Sequence, residues 1–298
     1  MPDASPLSLD PALQGWIGRS ETVFDTVTPQ LAQRLAATLE SPRAGRAGRG
    51  DELPQLWHSV LFPRVAPRSQ LGRDGHPALG DFLPPVPLPR RMFAGKRTTF
   101  VAPILIGDEL ERVSTIASIA PKQGRSGPLI FVTVRHDVRR GGDVLVSEEH
   151  DVVYRSESPA ASAGAGQAEA AAPAPFGATR ASDETAFDPV TIFRYSALSF
   201  NGHRIHYDRK YATEVEGYPS LLVNGQLGVL YGVEHVLQAW GGRLSTLATR
   251  NVGPLFEGER FRAESKAGAK DGEVDFRVVT TAGKTVVAGT AQLEGAPR

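Results

Sequence analysis

Gly225-Gln-Leu-Gly-Val-Leu-Tyr-Gly-Val-Glu-His-Val-Leu-Gln-Ala-Trp240, followed by Gly241-Gly242, is the stretch that decides the fold. Leu227, Leu230, Val233, Leu237 and Trp240 recur at steps of three and four, the period of a helix. Val229 and Val236 widen the stripe until nearly every side is apolar. A helix of that kind is stable only when surrounded, and a sheet is the surface that can surround it. The glycine pair stops it.

The sequence beyond the helix supplies that sheet. Glu259–Ala267, Val274–Thr281 and Lys284–Leu293 read as three antiparallel strands, with turns at Gly268–Gly272 and Ala282-Gly283. Phe276, Val278 and Thr280 alternate with Arg277 and Val279, as in a strand covered mainly on one face. The same pattern occurs earlier. Arg112–Ala120, Leu129–Val138 and Val144–Tyr154 form a second three-strand series, with turns near Lys122–Gly127 and at Gly141-Gly142. Each series opens on Pro, three residues, Gly and an acid: Pro103 to Asp108 and Pro254 to Glu259. Shared order and a shared opening point to an internal duplication. A helix is expected before each series, Thr26–Leu39 in the first half carrying Val27, Leu31, Leu35 and Leu39. The pattern gives an α+β fold.

The chain has 298 residues, enough for two modest domains. Residues 156–175 hold nine alanines and no Val, Ile, Leu or aromatic residue. Such a segment cannot bury enough apolar area to offset its ordering entropy. The expected division is 1–155, a linker at 156–181, and 182–298. Lys+Arg and Asp+Glu both number 33, which argues against a dedicated nucleic-acid binder. No cysteine is present, so disulfide and thiolate chemistry are excluded. The first residues have no basic stretch followed by an apolar one, and no apolar run reaches 18 residues. No membrane partner is expected, and cytoplasmic residence is the default.

Chemistry concentrates in Phe200-Asn-Gly-His-Arg-Ile-His-Tyr-Asp208, before Gly217-Tyr-Pro and then Val223-Asn-Gly225 at the start of the apolar helix. Histidine is the side chain that takes and gives protons near neutral pH, so His206 is a candidate acid/base. Asn201 carries both donor and acceptor atoms and can orient a water or a carbonyl. The first turn of the helix at Gly225 offers unpaired N–H groups and a positive dipole end, suited to an oxygen that gains charge. Spacing alone leaves two alternatives open: a pair of structural histidines, and a metal site at His203 and His206. No further ligand stands at a familiar spacing beyond Asp208, and no metal is expected.

The motif resembles the MaoC-like, type 2 hydroxyacyl-thioester dehydratase family. Its common signature is Asp-x-Asn-Pro-(Ile/Leu)-His-x-Asp, which Ile205, His206 and Asp208 match. Asn201 falls where the family's catalytic Asp stands, His203 on its Asn, and Arg204 on its Pro. The variant present here is similar to the mesaconyl-CoA and itaconyl-CoA hydratase branch. Trp16-Ile-Gly-Arg19, Leu83-Pro-Pro85 and Met92-Phe-Ala-Gly95 extend the likeness into the first half. The resemblance implies a double hot-dog fold, each half a long helix wrapped by an antiparallel sheet, with one groove between the halves. It implies reversible hydration of a short, branched 2-enoyl-CoA, with His206 as base, Asn201 as water anchor and the Gly225 amide at the thioester oxygen. Asn201 cannot ionise, which departs from the family's pair, and Asn224 stands where a His is usual. No cofactor is implied, since coenzyme A is part of the substrate; a homodimer is compatible with the family.

Arg90, Arg91, Lys96 and Arg97 form a basic cluster before the first series. It reads either as a solvated edge or as a patch for coenzyme A phosphates or a substrate carboxylate. His203, Arg204 and Asn224 join Arg90, Arg91 and Arg97 as candidate substrate-binding residues. Two other functions fit the same sequence: a hot-dog acyl-CoA thioesterase, for which the helix offers only Glu234, and a non-catalytic acyl-CoA-binding subunit.

Overall fold

The computed structural model describes residues 10–41, 43, 47–77, 82–88, 90–124, 127–156 and 176–295, with Arg90 and Met92 described by backbone alone. Most of the segment read as a linker, 157–175, lies outside them. Its expected end does not hold: Arg180–Ala181 is a strand paired to Ser265 and Glu264. Composition does not register backbone pairing, so it carried the expected end as far as Ala181.

The described strands form one antiparallel sheet of ten. The first half contributes β1 (Ser20–Thr26), β2 (Arg90–Phe100), β3 (Glu109–Gly124), β4 (Gly127–Arg140) and β5 (Asp143–Arg155). The second contributes β6 (Arg180–Ala181), β7 (Arg243–Asn251), β8 (Phe261–Ala267), β9 (Glu273–Thr280) and β10 (Thr285–Glu294). The order is β1-β3-β4-β5-β2-β7-β10-β9-β8-β6. Outward from the centre, each half runs through the same series of strands. β2 and β7 meet at the seam, paired from Gly95 opposite Arg250 to Thr99 opposite Thr246.

The duplicated Pro-to-acid stretch builds the same turn in both halves. Leu105 N donates to Asp108 Oδ2 (2.8 Å), and Phe256 N donates to Glu259 Oε2 (3.1 Å). Gly107 N reaches back to Val27 O (2.7 Å) and Gly258 N to Phe187 O (2.9 Å). Val27 and Phe187 are therefore equivalent, and each leads into a capped helix. Thr28 caps α1 (Pro29–Leu39) by accepting from Leu31 N, and Asp188 caps α2 (Pro189–Leu198) by accepting from Thr191 N. Pro at the first helical position suits both.

This equivalence alters the expected role of the first-half helix. α1 is the counterpart of α2, and the two pack on each other. The surrounded helix is α3 (Gly225–Trp240), which lies against β7 to β10. Its counterpart in the first half is a single 3-10 turn, Trp57–Val60. The bonds Leu53 N to Ile104 O and Val223 N to Leu255 O put the two starts in register. The reason is visible in the residues. α1 buries one stripe, Ala32, Leu35 and Thr38, as a two-sided helix should, whereas ten of the sixteen residues of α3 are buried. Pro54, Pro63 and Pro67 interrupt the stretch after Leu53, where a long helix would have to run.

One core joins the halves: Trp57, Ile104, Leu110 and Leu145 belong to the same buried cluster as Leu227, Leu230, Val233 and Phe276. Glu234 of α3 is drawn across the boundary. Its carboxylate accepts from Trp57 Nε1 (2.9 Å), Arg43 (2.9 Å) and Ser41 Oγ (2.7 Å).

Candidate active site

The motif Phe200–Asp208 follows α2 and closes with a 3-10 turn, Arg204–His206. Asp208 accepts from Tyr211 N (3.0 Å) and from Arg204 Nη2 (2.7 Å), pinning the end of the loop. His206 is thereby buried, 7% exposed, with Nδ1 2.7 Å from Leu222 O. A carbonyl can only accept, so Nδ1 carries the proton and Nε2 keeps its lone pair. Burial lowers the imidazole to about 4, outweighing the opposing Leu222 hydrogen bond; the charge of His76 lowers it further. At neutral pH His206 is an uncharged ring with a free acceptor.

Asn201 lines the same cleft. Its Oδ1 accepts from His203 N (3.0 Å), which leaves the Nδ2 donor for a ligand. The start of α3 lines the cleft beside them. Asn224 makes no side-chain cap; its buried amide exchanges hydrogen bonds with Ser196 of α2 at 3.3 and 3.4 Å. The first-turn N–H groups of Gly225 and Gln226 thus stay uncapped by that side chain, at the positive end of a sixteen-residue helix. A Cβ at Gly225 would lie 2.9 Å from Asn251 Nδ2, so a larger residue here would displace the Asn251 side chain of β7.

The cleft holds about 340 Å³. The second half supplies Asn201, His206, Asn224, Gly225 and Gln226; the first supplies Ser59, Arg64, His76, Pro77 and Arg91. A base, a water anchor and an oxyanion-type helix start on one wall, with cations on the other, suit addition of water to an activated double bond.

Residues 56–257 match the family model described as hydroxyacyl-thioester dehydratase type 2. Over 280 residues the chain is 40% identical to a mesaconyl-C(4)-CoA hydratase of Chloroflexus aurantiacus, covering 94% of this chain and 97% of that one. The chain belongs to the type 2 hydroxyacyl-thioester dehydratases. A MaoC-like dehydratase from Phytophthora capsici, 16% identical, superposes with a TM-score of 0.69 over 95% of this chain and 98% of its own. A Mycobacterium tuberculosis protein with a double hot-dog fold, 15% identical, gives 0.52 over 92% and 95%. The fold of this dehydratase is the double hot dog, with the central helix reduced to a turn in its first half.

Within this family member the expected binding residues separate. Arg91 lines the cleft. Arg97 does not: it pairs with Asp151 (2.7 Å) and Glu149 (3.0 Å) in a hollow on the other face of the sheet. Arg91 and Arg97 are six apart and would share a face in a regular strand. A bulge between Phe93 and Gly95 reverses the alternation, so Arg91 opposes Tyr154 while Arg97 follows the parity of Asp151. Lys96 is buried against Glu148 (3.0 Å). The side chain of Arg90 lies outside the described residues. Arg204 also leaves the expected set. Its guanidinium pairs with Asp208, donates to Arg73 O (3.2 Å) and covers the Tyr211 ring at 4.1 Å. It ties the motif down instead of facing the cleft. His203 packs between two rings, 4.1 Å from His76 and 5.5 Å from His206, and burial lowers it to about 3.

Asp74, His76 and His203 bring a donor atom each within 4.8 Å of one another, the one such trio among the described residues. The His76 and His203 rings are tilted by only 35° and face each other. With centroids 4.1 Å apart the two rings are in stacking contact.

Sequence reasoning missed His76 and Arg64. Both stand more than a hundred residues before the motif. The one local signal was Leu71-Gly-Arg-Asp-Gly-His-Pro77, an Asp-x-His pair inside a glycine turn.

Proposed function

We propose that this dehydratase hydrates the C2=C3 bond of a short 2-enoyl-CoA reversibly, and that its preferred acyl group carries a second carboxylate, as in mesaconyl-C4-CoA or itaconyl-CoA. The observation that carries the reading is the sharing of one cleft by the neutral His206 and the uncapped start of α3. Water held by Asn201 Nδ2 gives a proton to His206 Nε2 and its oxygen to C3. The thioester oxygen takes up charge against the Gly225 and Gln226 amides, where preorganised donors act most strongly. C2 then takes a proton. The identity to the Chloroflexus hydratase supports the acyl group, and Arg64 and Arg91 on the facing wall supply cations for its free carboxylate. Glu234, the acid a thioesterase reading would need, is committed to Trp57, Arg43 and Ser41.

A panel of crotonyl-, mesaconyl- and itaconyl-CoA tests this. Loss of enoyl absorbance is the expected result, fastest with a dicarboxylic substrate. Release of free thiol would make the protein a thioesterase, and binding without turnover a carrier subunit.

A further inference from the structure

Hydration moves two protons, one from water and one onto C2. The family motif commonly provides two ionisable groups, and this chain has replaced one with Asn201. The cleft contains another. His76 comes from the loop Gly72–Pro77 of the first half and lines the cleft together with His206 and Asn201. Asp74 holds it: Asp74 Oδ2 lies 3.3 Å from His76 Nδ1, and Asp74 Oδ1 accepts from His76 N (3.1 Å). A carboxylate can only accept from this ring nitrogen, which leaves Nε2 as the working atom. The loop is clamped onto the motif. Arg204 N donates to Asp74 O (2.8 Å), and a Cβ on Gly75, at φ +87°, would come 2.1 Å from Gly202 O. No side chain fits between the two loops, so His76 is carried to the motif by backbone contact.

We propose that His76, oriented by Asp74, is a second proton-transfer residue of this site and protonates C2 of the enolate. The inference rests on the hydratase reading above. The step balances. Water loses a proton to His206 Nε2 and forms the C3–O bond. The π electrons pass to the enolate, and C2 takes the proton from His76 Nε2. His206 then releases its proton to solvent, and His76 regains one. Asp74 supports the charge on the ring, because its own carboxyl stays below the usual range: burial raises it, and the hydrogen bonds and charge of His76 lower it further than that. The charged and titratable groups around His76 are Asp74 on its own loop, His203, His206 and Arg204 on the motif, and Arg64 and Arg91 on the wall of the first half.

The test is His76→Gln, which keeps a polar side chain but cannot transfer a proton. With the substrate that wild type turns over best, kcat should fall about 10²-fold or more while KM stays within a few-fold. The bell-shaped pH profile should lose one limb. Asp74→Asn should lower kcat by a smaller factor and displace the same limb, with unchanged melting temperature showing that the loop holds. Activity should survive dialysis against EDTA. A His76→Gln enzyme with wild-type kcat and both limbs would overturn the assignment, as would loss to EDTA restored by zinc. An inactive wild type would remove the hydratase reading and the dyad together; an active one with an unaffected variant removes the dyad alone.

Discussion

His206 is caught between two demands. As the proposed base it must meet the substrate from a buried position, and burial disfavours its charged form. The ring therefore titrates near 4, well below the ordinary value of 6.5. The acid limb of kcat/KM should accordingly lie near pH 4 to 5, with activity retained at pH 6; a limb near 6.5 would mean that the base is another group. The same shift bears on stability. The unfolded chain binds protons at His203 and His206 near pH 6.5, while the folded values are about 3 and 4. Stability present above about 6.5 is thus lost as pH falls toward those values. His206→Ala should cost about 10²-fold or more in kcat with the fold intact. Asn201→Asp keeps the acceptor for His203 N and loses the Nδ2 donor, but its carboxylate can accept from the water instead; it should fold normally and keep substantial activity, whereas Asn201→Ala removes both the acceptor and any anchor for the water and should fall nearly as far as His206→Ala.

At the level of elements, α3 and β2 decide most. Gly225→Ala improves intrinsic helix propensity yet pushes against Asn251. The melting temperature should move little while kcat drops about 10-fold, the partial loss of an oxyanion donor. On β2, Arg91→Ala should raise KM for a dicarboxylic substrate several-fold more than for crotonyl-CoA, and Arg97→Ala should change neither. These elements also show what the sequence could and could not reveal. α3 was legible residue for residue, because all-round apolarity between an Asn-Gly start and a Gly-Gly stop has one physical solution. His206 and the Gly225 turn, which share a cleft, were legible together for a different reason, their proximity along the chain. The grouping of Arg91 with Arg97 was not, since a bulge is invisible to a count of alternation. The helical period of α1 was real from Pro29 onward, Thr26 ending β1 and Val27 preceding the Thr28 cap, but its one-sidedness marked it as a partner for another helix and not as a surrounded one. His76 was out of reach because backbone contact, not sequence spacing, brings it to the motif.

The whole molecule depends on the seam. β2 and β7 pair over five residues, and Glu234 and Arg243 reach across to Trp57 and Glu52. Cleavage at a protease site introduced between residues 157 and 175 should therefore leave two fragments that comigrate on gel filtration and retain activity; fragments that separate would mean the seam does not hold without covalent continuity.

The mirrored strand order carries a further consequence, for inheritance. Two identical subunits would have to accept every substitution twice, once in each role. Joined in one chain, the halves mutate separately. The second half, with its long helix, supplies Asn201, His206 and Gly225 to the cleft, while the first, with only the turn Trp57–Val60 in that place, supplies Arg64, His76 and Arg91. Changes along residues 59–91 outside Asp74 and His76 can retune which acyl group is accepted without touching His206, Asn201 or the Gly225 turn. Substrate range in this lineage is therefore expected to diverge faster along the first half than along the second.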